Sequence, residues 1–311
     1  MFRNLRCYLV TTPWPDTEEA LCKALEERAF RPCNGFSEKS AGWEAPGQSE
    51  GVTLARRLAG ADLLELRTQS RVLPAAAIAE ALEDRVNEYR ERMGQEPPRR
   101  ELRRLKEETR DELLPKALVK SDRLRGCFIH SESLLIVDAG TVARAEWFVE
   151  HLRPCLPGLR CEPLTFKEPP AALIQSMFLG QLPPDFSLGR ECRMEDPTDN
   201  KSTGTWRNVD LDDETIRRHV REGMRLTQLA FHFDSTLGGV LGEDGVISKL
   251  RLVEGDAVDQ HDEEEALARQ DSDFVLLSGL ARRLLARLAE LLGGYDTAPG
   301  KPAGAPPGAS A

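Results

Sequence analysis

Two successive amphipathic helices, separated by a short break, constrain the fold of this chain more than any other feature of its sequence. The apolar stripe of the first helix is formed by residues at helical spacing: Ile78, Leu82, Val86, Tyr89 and Met93. The second helix is predicted from about Pro98 to Leu114, and Gly94 with Pro97 and Pro98 separates the two. A break this short predicts an antiparallel helical hairpin.

The remaining patterns predict an α+β fold with mixed sheets, because strands and helices alternate without a regular βαβ rhythm. Strands are expected at residues 2–10, 52–73, 126–138, 224–233 and 236–253. Further helices are expected from an Asp16 cap to about Arg28, from a Thr141 cap to about Leu152, over 168–180, from Asp210, and over 273–292. Residues 31–51 have loop composition that could include short strands, and 181–209 are expected to be irregular.

Composition excludes several classes of protein. The chain has 311 residues, of which 40% are hydrophobic and 30% are charged, which is enough to bury a core. Its apolar runs are too short for a membrane span, and Arg3 and Arg6 interrupt the first one, so neither a membrane protein nor a signal peptide is predicted. The seven scattered cysteines form no CxxC pair, which predicts reduced thiols in a cytoplasmic protein.

A search for catalytic motifs finds none. The sequence has no Walker A motif, no GxGxxG, no HExxH and no GxSxG, and its five histidines are isolated. The acidic run at 262–265 could hold a divalent cation, but it is more typical of a solvated helix start. We therefore expect no catalytic residues, no metal and no cofactor, and we expect that the protein is not an enzyme.

The basic segment at residues 97–106 is the candidate binding site. Against one acid, Glu101, it has five cations: Arg99, Arg100, Arg103, Arg104 and Lys106. At about 100° per residue, the stripe of Arg99, Arg103, Lys106 and Arg110 lies roughly 85° from the apolar stripe of Leu102, Leu105 and Leu113. Further cations follow at Lys116, Lys120, Arg123 and Arg125. Such a ridge suits the phosphate backbone of DNA, whatever the base sequence.

A solvated helix face with ion pairs between residues four apart is the alternative interpretation of this ridge. Sorting of the charges by sign favours binding here, whereas Arg217, Arg218, Arg221 and Arg225 are mixed with acids and indicate a solvated face. The formal charge of −10 then requires that the two signs be segregated in space. No aromatic residue interleaves with the basic stripe, so contact with a duplex is expected rather than stacking on a single strand.

A collinear set of short motifs resembles the bacterial recombination-associated RdgC family. The matching stretches are 30–33 (FRPC), 42–46 (Gly42-Trp43 with Pro46), 113–117 (LLPKA), 135–138 (LIVD), 210–216 (DLDDETI) and 273–279 (DFVLLSG), and the likeness spans about residues 1–295. The resemblance implies a non-enzymatic homodimeric ring around double-stranded DNA, with little sequence preference. It also implies restraint of the recombinase RecA, a role in replication-fork repair, and a nucleoid-associated location in the cytoplasm.

The resemblance also implies a division of the chain. Residues 1–73 with 126–167 would form a central domain, 74–125 a projecting helical tip, 168–295 a base domain, and 296–311 a disordered tail. The tip would offer Leu113, Leu114 and Leu118 for contact between subunits, and the C-terminal helical segment would help form the other contact. Because this chain has no strongly basic C-terminus, weaker and more salt-sensitive DNA binding is expected.

Two other functions remain open from the sequence. The acidic stretch at 254–265 could bind a basic partner, so the chain could be an interaction protein that acts on the recombinase directly. A nuclease dependent on a divalent metal is the third possibility, although the paired carboxylates and lysine that it needs are not evident.

Overall fold

The computed structural model describes residues 2–35, 37–47, 53–199, 202–253 and 263–296. Within these ranges the chain forms two β-sheets and seven α-helices, which confirms the α+β class. Every ladder between the strands is antiparallel, so the prediction of mixed sheets was wrong. Five of the ten ladders join consecutive strands through two to seven residues, which is too short for the crossover that a parallel pair needs.

The first sheet has seven strands. They are β1 (Arg6–Val10), β2 (Lys39–Glu44), β3 (Ala55–Leu58), β4 (Ala61–Val72), β5 (Leu118–Ile129), β6 (Leu134–Val137) and β7 (Cys161–Pro163). Their order is β2-β4-β5-β6-β1-β7, with β3 also paired to β4. The predicted strands at 2–10, 52–73 and 126–138 all lie in this sheet.

The second sheet has five strands, in the order β12-β11-β10-β8-β9. They are β8 (Phe186–Glu195), β9 (Thr203–Arg207), β10 (Arg225–Phe233), β11 (Leu237–Gly242) and β12 (Ile247–Leu252). The prediction that 181–209 is irregular was wrong, because β8 and β9 lie there. Two register shifts against β10 interrupt the alternation of β8 and hide its period in the sequence.

The helices largely follow their predicted positions. They are α1 (Glu18–Glu26), α2 (Ala75–Met93), α3 (Arg99–Leu113), α4 (Val142–Leu152), α5 (Pro170–Phe178), α6 (Glu214–Arg221) and α7 (Glu263–Leu291). Thr141 caps α4 as predicted. The caps of α1 and α6 are Thr17 and Asp213, rather than Asp16 and Asp210, because those side chains accept the exposed N–H groups of the first turn.

The core has two parts that meet at the first sheet. One part fills the space between the two sheets and includes residues of α5, α6 and α7. The other lies between the opposite face of the first sheet and helices α1 and α4. Neighbouring residues of β4 show the alternation, since Leu63 belongs to the first part and Leu64 to the second.

The two helices α2 and α3 contact each other and connect the ends of β4 and β5. These strands pair over twelve residues each, from Ala61 opposite Ile129 to Val72 opposite Leu118. Residues 118–125 of the predicted helical tip are therefore strand. Arg71 fixes the junction, because its guanidinium donates to the carbonyl oxygens of Leu114 at 3.1 Å and Pro115 at 3.0 Å.

The seven cysteines are free thiols, four of them buried. Burial raises the pKa of Cys7 to about 12 and that of Cys192 to about 12, so both are protonated at neutral pH. Among the described residues, no helix combines the length and the apolar character that crossing a bilayer requires. The acidic stretch at 254–262 and the tail from 297 lie outside the described residues.

Candidate nucleic-acid interface

The predicted stripe on α3 is exposed, but ion pairs compensate part of its charge. Arg103 donates from Nε to Glu107 at 3.1 Å, and Arg110 pairs with Glu38. Arg99 and Lys106 make no ion pair with any residue that the structure describes. The stripe is therefore not an unbroken cationic ridge, because a negative group neutralises every second member.

The two arginines of α3 outside the stripe, Arg100 and Arg104, are also a mixture of paired and unpaired cations. Arg104 lies between Glu101 and Glu108, at 3.8 and 2.9 Å. The hydrogen bond with Glu108 raises the pKa of Arg104, so this guanidinium stays charged and paired. Arg100 has no ion pair with a described residue. The free cations of the helix are thus Arg99, Arg100 and Lys106.

Two cations of β5 are part of a charge network rather than of an open surface. Arg125 donates from Nε to Oε2 of Glu65 at 2.7 Å, and Nε of Arg123 lies 3.2 Å from the other carboxylate oxygen as an ion pair. Glu65 is fully buried. Arg123 also reaches Glu44 at 3.0 Å, and Glu44 accepts from Arg67 at 2.5 Å. These pairs connect β2, β4 and β5, which gives both arginines a structural role.

The other basic residues after α3 differ in their surroundings. Lys116 lies 3.7 Å from Glu112, one helical turn before it. Lys120 is exposed without an ion pair to a described residue, and it lies on the opposite face of β5 from Arg123. Six of the ten predicted DNA-binding cations therefore have a carboxylate partner in the chain.

The three leucines proposed for subunit contact also differ in exposure. Leu118 is 81% exposed, and its cross-strand neighbour Val72 is 45% exposed. Leu113 is half-buried, whereas Leu114 is 6% exposed. Leu114 therefore has little surface left for a second subunit, because it packs in the junction between β4 and the helical pair.

A second group of cations lies on the outer side of the five-stranded sheet, where the sequence indicated no site. We call it the basic sheet face and define it by Arg190, Arg207, Lys249 and Arg251. The four side chains line a depression of about 230 Å³ that contains a single carboxylate, Glu191. Four positive charges against one negative charge give this surface a positive potential.

The strands create this surface by alternation. On β8, Cys192 and Met194 point into the core, which leaves Glu191 on the outer side, opposite Arg207 of β9. At an irregularity between β11 and β12, Lys249 adopts a φ of +52° two residues before Arg251. Cations from three strands that are far apart in sequence are therefore neighbours in space.

The charges of this face are only partly compensated. Glu191 accepts from Lys249 at 2.5 Å and lies 3.4 Å from Arg207. Arg190 donates to the carbonyl oxygen of Asn208 at 3.0 Å, and neither Arg190 nor Arg251 forms an ion pair with a described residue. Two guanidinium groups are thus available for an anion such as a phosphate.

Two glycines that line the depression are required by the packing of the sheet itself. A Cβ on Gly189 would lie 2.7 Å from the Cβ of Ala230, so the close approach of β8 to β10 needs glycine there. A Cβ on Gly239 would lie 3.3 Å from Phe231 and from Ile247, which are both buried in the core between the sheets. These glycines therefore support the strands that present the cations.

The buried carboxylate of Asp62 is the place that most resembles catalytic chemistry, but it is already saturated. It accepts from Trp14 at 2.7 Å, from Nε of Arg57 at 2.6 Å and from His130 at 3.0 Å. The bond to Asp62 raises the pKa of Arg57, as expected for a structural ion pair. In the described part of the chain, no group of three or more His, Cys, Asp or Glu side chains could hold a metal ion.

Comparison with known proteins identifies the family. A family model described as "Putative exonuclease, RdgC" matches residues 1–295. The recombination-associated protein RdgC of Stenotrophomonas maltophilia is 30% identical, with 93% of this chain and 97% of that protein aligned. Those of Aeromonas hydrophila and Tolumonas auensis are 30% and 29% identical, over 95% and 94% of this chain and 98% of each relative. Matched from residue 1 to residue 295, the chain belongs to the RdgC family of recombination-associated proteins.

Proposed function

We propose that this chain binds double-stranded DNA without sequence preference and does so without catalysis. The observation that carries the proposal is the basic sheet face, whose cations have a single carboxylate among them. Contacts from arginine and lysine to phosphates neutralise the backbone and release counterions, and they do not depend on the bases. The curated relatives are named for recombination, which is a process of DNA.

The free cations of α3 form the second part of this proposed surface. Arg99, Arg100 and Lys106 are exposed and without an ion pair to a described residue. Arg103, Arg104, Arg110 and Lys116 contribute less in this proposal, because their charges are compensated by carboxylates of the chain. Arg123 and Arg125 contribute through stability rather than contact.

Duplex binding is tested with labelled random 30-base-pair duplexes in fluorescence anisotropy titrations. Several unrelated sequences are expected to bind with equal affinity, and the affinity is expected to fall steeply as the salt concentration rises. Absence of binding to every duplex at low salt would contradict the proposal.

Because the matching family model is described as a putative exonuclease, a second assay incubates the same duplexes with Mg²⁺ or Mn²⁺. If the DNA strands were shortened, the protein would be a nuclease, and the proposal of binding without catalysis would be wrong.

The assembly that we propose is a homodimeric ring that encloses the duplex. Its support is the exposed apolar end of the β4–β5 ribbon, at Val72, Leu118 and Val119, and the exposed Val275 and Leu276 on α7. Sedimentation velocity is expected to show a dimer, and Leu118→Glu is expected to weaken it. A monomer at all concentrations would contradict the ring.

The proposed role in the cell is restraint of RecA on nucleoid DNA during recombination and fork repair. A protein that covers the duplex limits access of a recombinase to it, so inhibition of RecA strand exchange is expected to require duplex binding. Inhibition by a variant that no longer binds DNA, together with capture of RecA without DNA, would favour the interaction protein instead.

A further inference from the structure

A polar groove lies on the face of the first sheet that is covered by α1 and α4. It has a volume of about 550 Å³ and is lined by residues of both the sheet and α4, among them Lys39, Ser70, Lys120, Asp122, Trp147 and His151. The size lies within the range of roughly 300–1,000 Å³ that is typical of ligand pockets.

The floor of the groove is positive. Lys39 of β2 and Lys120 of β5 are both paired in register with Ser70 of β4, so the three side chains form one row across the sheet. Neither lysine makes an ion pair with a residue that the structure describes. The nearby Asp122 is neutralised by Arg144 at 2.5 Å. The two lysines thus flank Ser70 from the strands on either side of β4, about 10 Å apart across the sheet, so each can meet a separate anionic group.

The wall of the groove is aromatic and held in place. The rings of Trp147 and His151, one helical turn apart on α4, lie with their centroids 4.0 Å apart. Nδ1 of His151 donates to the carbonyl oxygen of Trp147 at 2.8 Å, which fixes the imidazole and leaves Nε2 for a ligand. Both residues are half-buried, so part of each ring stays accessible.

We propose that this groove binds one unpaired nucleotide of single-stranded DNA. The base stacks against Trp147 beside His151, and the flanking phosphates contact Lys39 and Lys120. Aromatic side chains next to a positive groove are the combination that binds single strands, because every base has a π face. A base paired within a duplex cannot reach Trp147. The site is therefore separate from the basic sheet face, on which the proposed duplex binding depends.

The test uses labelled dT20, which forms no duplex, in anisotropy titrations with the full chain. Trp147→Ala and Lys39→Glu are each expected to weaken dT20 binding by about 10-fold, and Trp147→Phe by about 3-fold or less, since phenylalanine retains a face for stacking. The affinity for a 30-base-pair duplex is expected to be the same in Trp147→Ala and the unmodified protein, which also shows that the variant is folded.

Tryptophan fluorescence provides the second readout. Stacking is expected to quench the fluorescence of the unmodified protein and of Trp206→Phe, and this quenching is expected to be lost in Trp147→Phe. Unchanged dT20 affinity in both Trp147→Ala and Lys39→Glu would overturn the proposal. It would also be overturned if dTMP alone bound as tightly as dT20, because the site would then be one for a free nucleotide. Loss of duplex binding with intact dT20 binding would contradict only the proposed function.

Discussion

The cations of α3 and those of the basic sheet face differ in how their charges are compensated. On α3 the acids come from the same helix, one turn away, as in the pairs of Arg103 with Glu107 and Arg104 with Glu108. On the basic sheet face, four cations from three strands lie around one carboxylate, Glu191, which pairs with only Arg207 and Lys249. A high density of cations in the sequence therefore does not predict the electrostatic potential at the surface. Strand alternation can place scattered cations side by side.

The largest expected effect is a loss of stability on disrupting the buried ion pairs of Arg123 and Arg125, the two cations that we assign to stability. Glu65→Gln removes the buried charge that Arg123 and Arg125 share, and we expect a loss of about 3 kcal/mol in the free energy of unfolding. Urea denaturation measures it. The control is Glu107→Gln, the exposed partner of Arg103, with a loss of no more than about 1 kcal/mol. Equal stability of the two variants would show that the network is not structural.

The second prediction reverses the two unpaired arginines of the basic sheet face. Arg190→Glu with Arg251→Glu is expected to weaken duplex binding by about 100-fold, since a hydrogen bond to a charged group contributes about 1.5 kcal/mol or more. The dependence of log affinity on log salt should flatten by about 1.8, or about 0.9 for each lost phosphate contact. Anisotropy titrations over a range of salt concentrations measure both.

The matched control for that pair is Arg218→Glu. This exposed arginine of α6 is paired with Glu222 and lies on the helix that contributes to the core between the sheets, away from the depression. We expect less than a twofold change in duplex affinity. A loss as large as that of the sheet variant would mean that only the net charge of the protein matters.

The third prediction concerns the free cations of α3. Arg99→Glu with Lys106→Glu is expected to weaken duplex binding by about 10-fold, because two exposed phosphate contacts on a helix are screened by solvent. Arg103→Glu, on the same stripe, is expected to have less than half of that effect on a logarithmic scale, since Glu107 already neutralises it. If Arg103→Glu weakened duplex binding as much as the double variant does, Arg103 would act as a free cation, and the stripe would be a continuous cationic ridge after all.

The smallest expected effect on duplex affinity comes from removing the charge of an acid that neutralises one of the α3 cations. Glu107→Gln releases Arg103 without removing any cation, so duplex affinity is expected to rise by about twofold. The same anisotropy assay, at low salt, measures it. A decrease would indicate that the ion pair holds Arg103 in the position that DNA contacts.

Local sequence signals predicted much of the fold. The apolar stripe of α2 and the cap of α4 depend on residues within a few turns, and both elements lie where the sequence indicated. The strand β8 could not be predicted in this way, because its core residues Phe186, Cys192 and Met194 are irregularly spaced and its register shifts twice. The apolar alternation of Lys249-Leu250-Arg251-Leu252 was the one local signal for the basic sheet face.

The candidate site was predicted less well, since its charges depend on pairing across the sheet. The partner of Arg110 is Glu38, and Arg123 meets Glu44, and both acids are distant in sequence. A helical projection places Glu101 and Glu108 away from the stripe, and there they pair with Arg104, which lies outside the stripe on their side of the helix. The pairs four residues apart, which join Arg103 to Glu107, Arg104 to Glu108 and Lys116 to Glu112, could have been recognised from spacing alone.

Lysine footprinting tests the basic sheet face most directly. The protein is acetylated with and without a saturating random duplex, and the modification of Lys249, Lys106 and the exposed Lys23 of α1 is compared by mass spectrometry. We predict severalfold protection of Lys249 and weaker protection of Lys106, with Lys23 unchanged. Bound duplex that leaves Lys249 as reactive as in the free protein would contradict the assignment of this face to DNA.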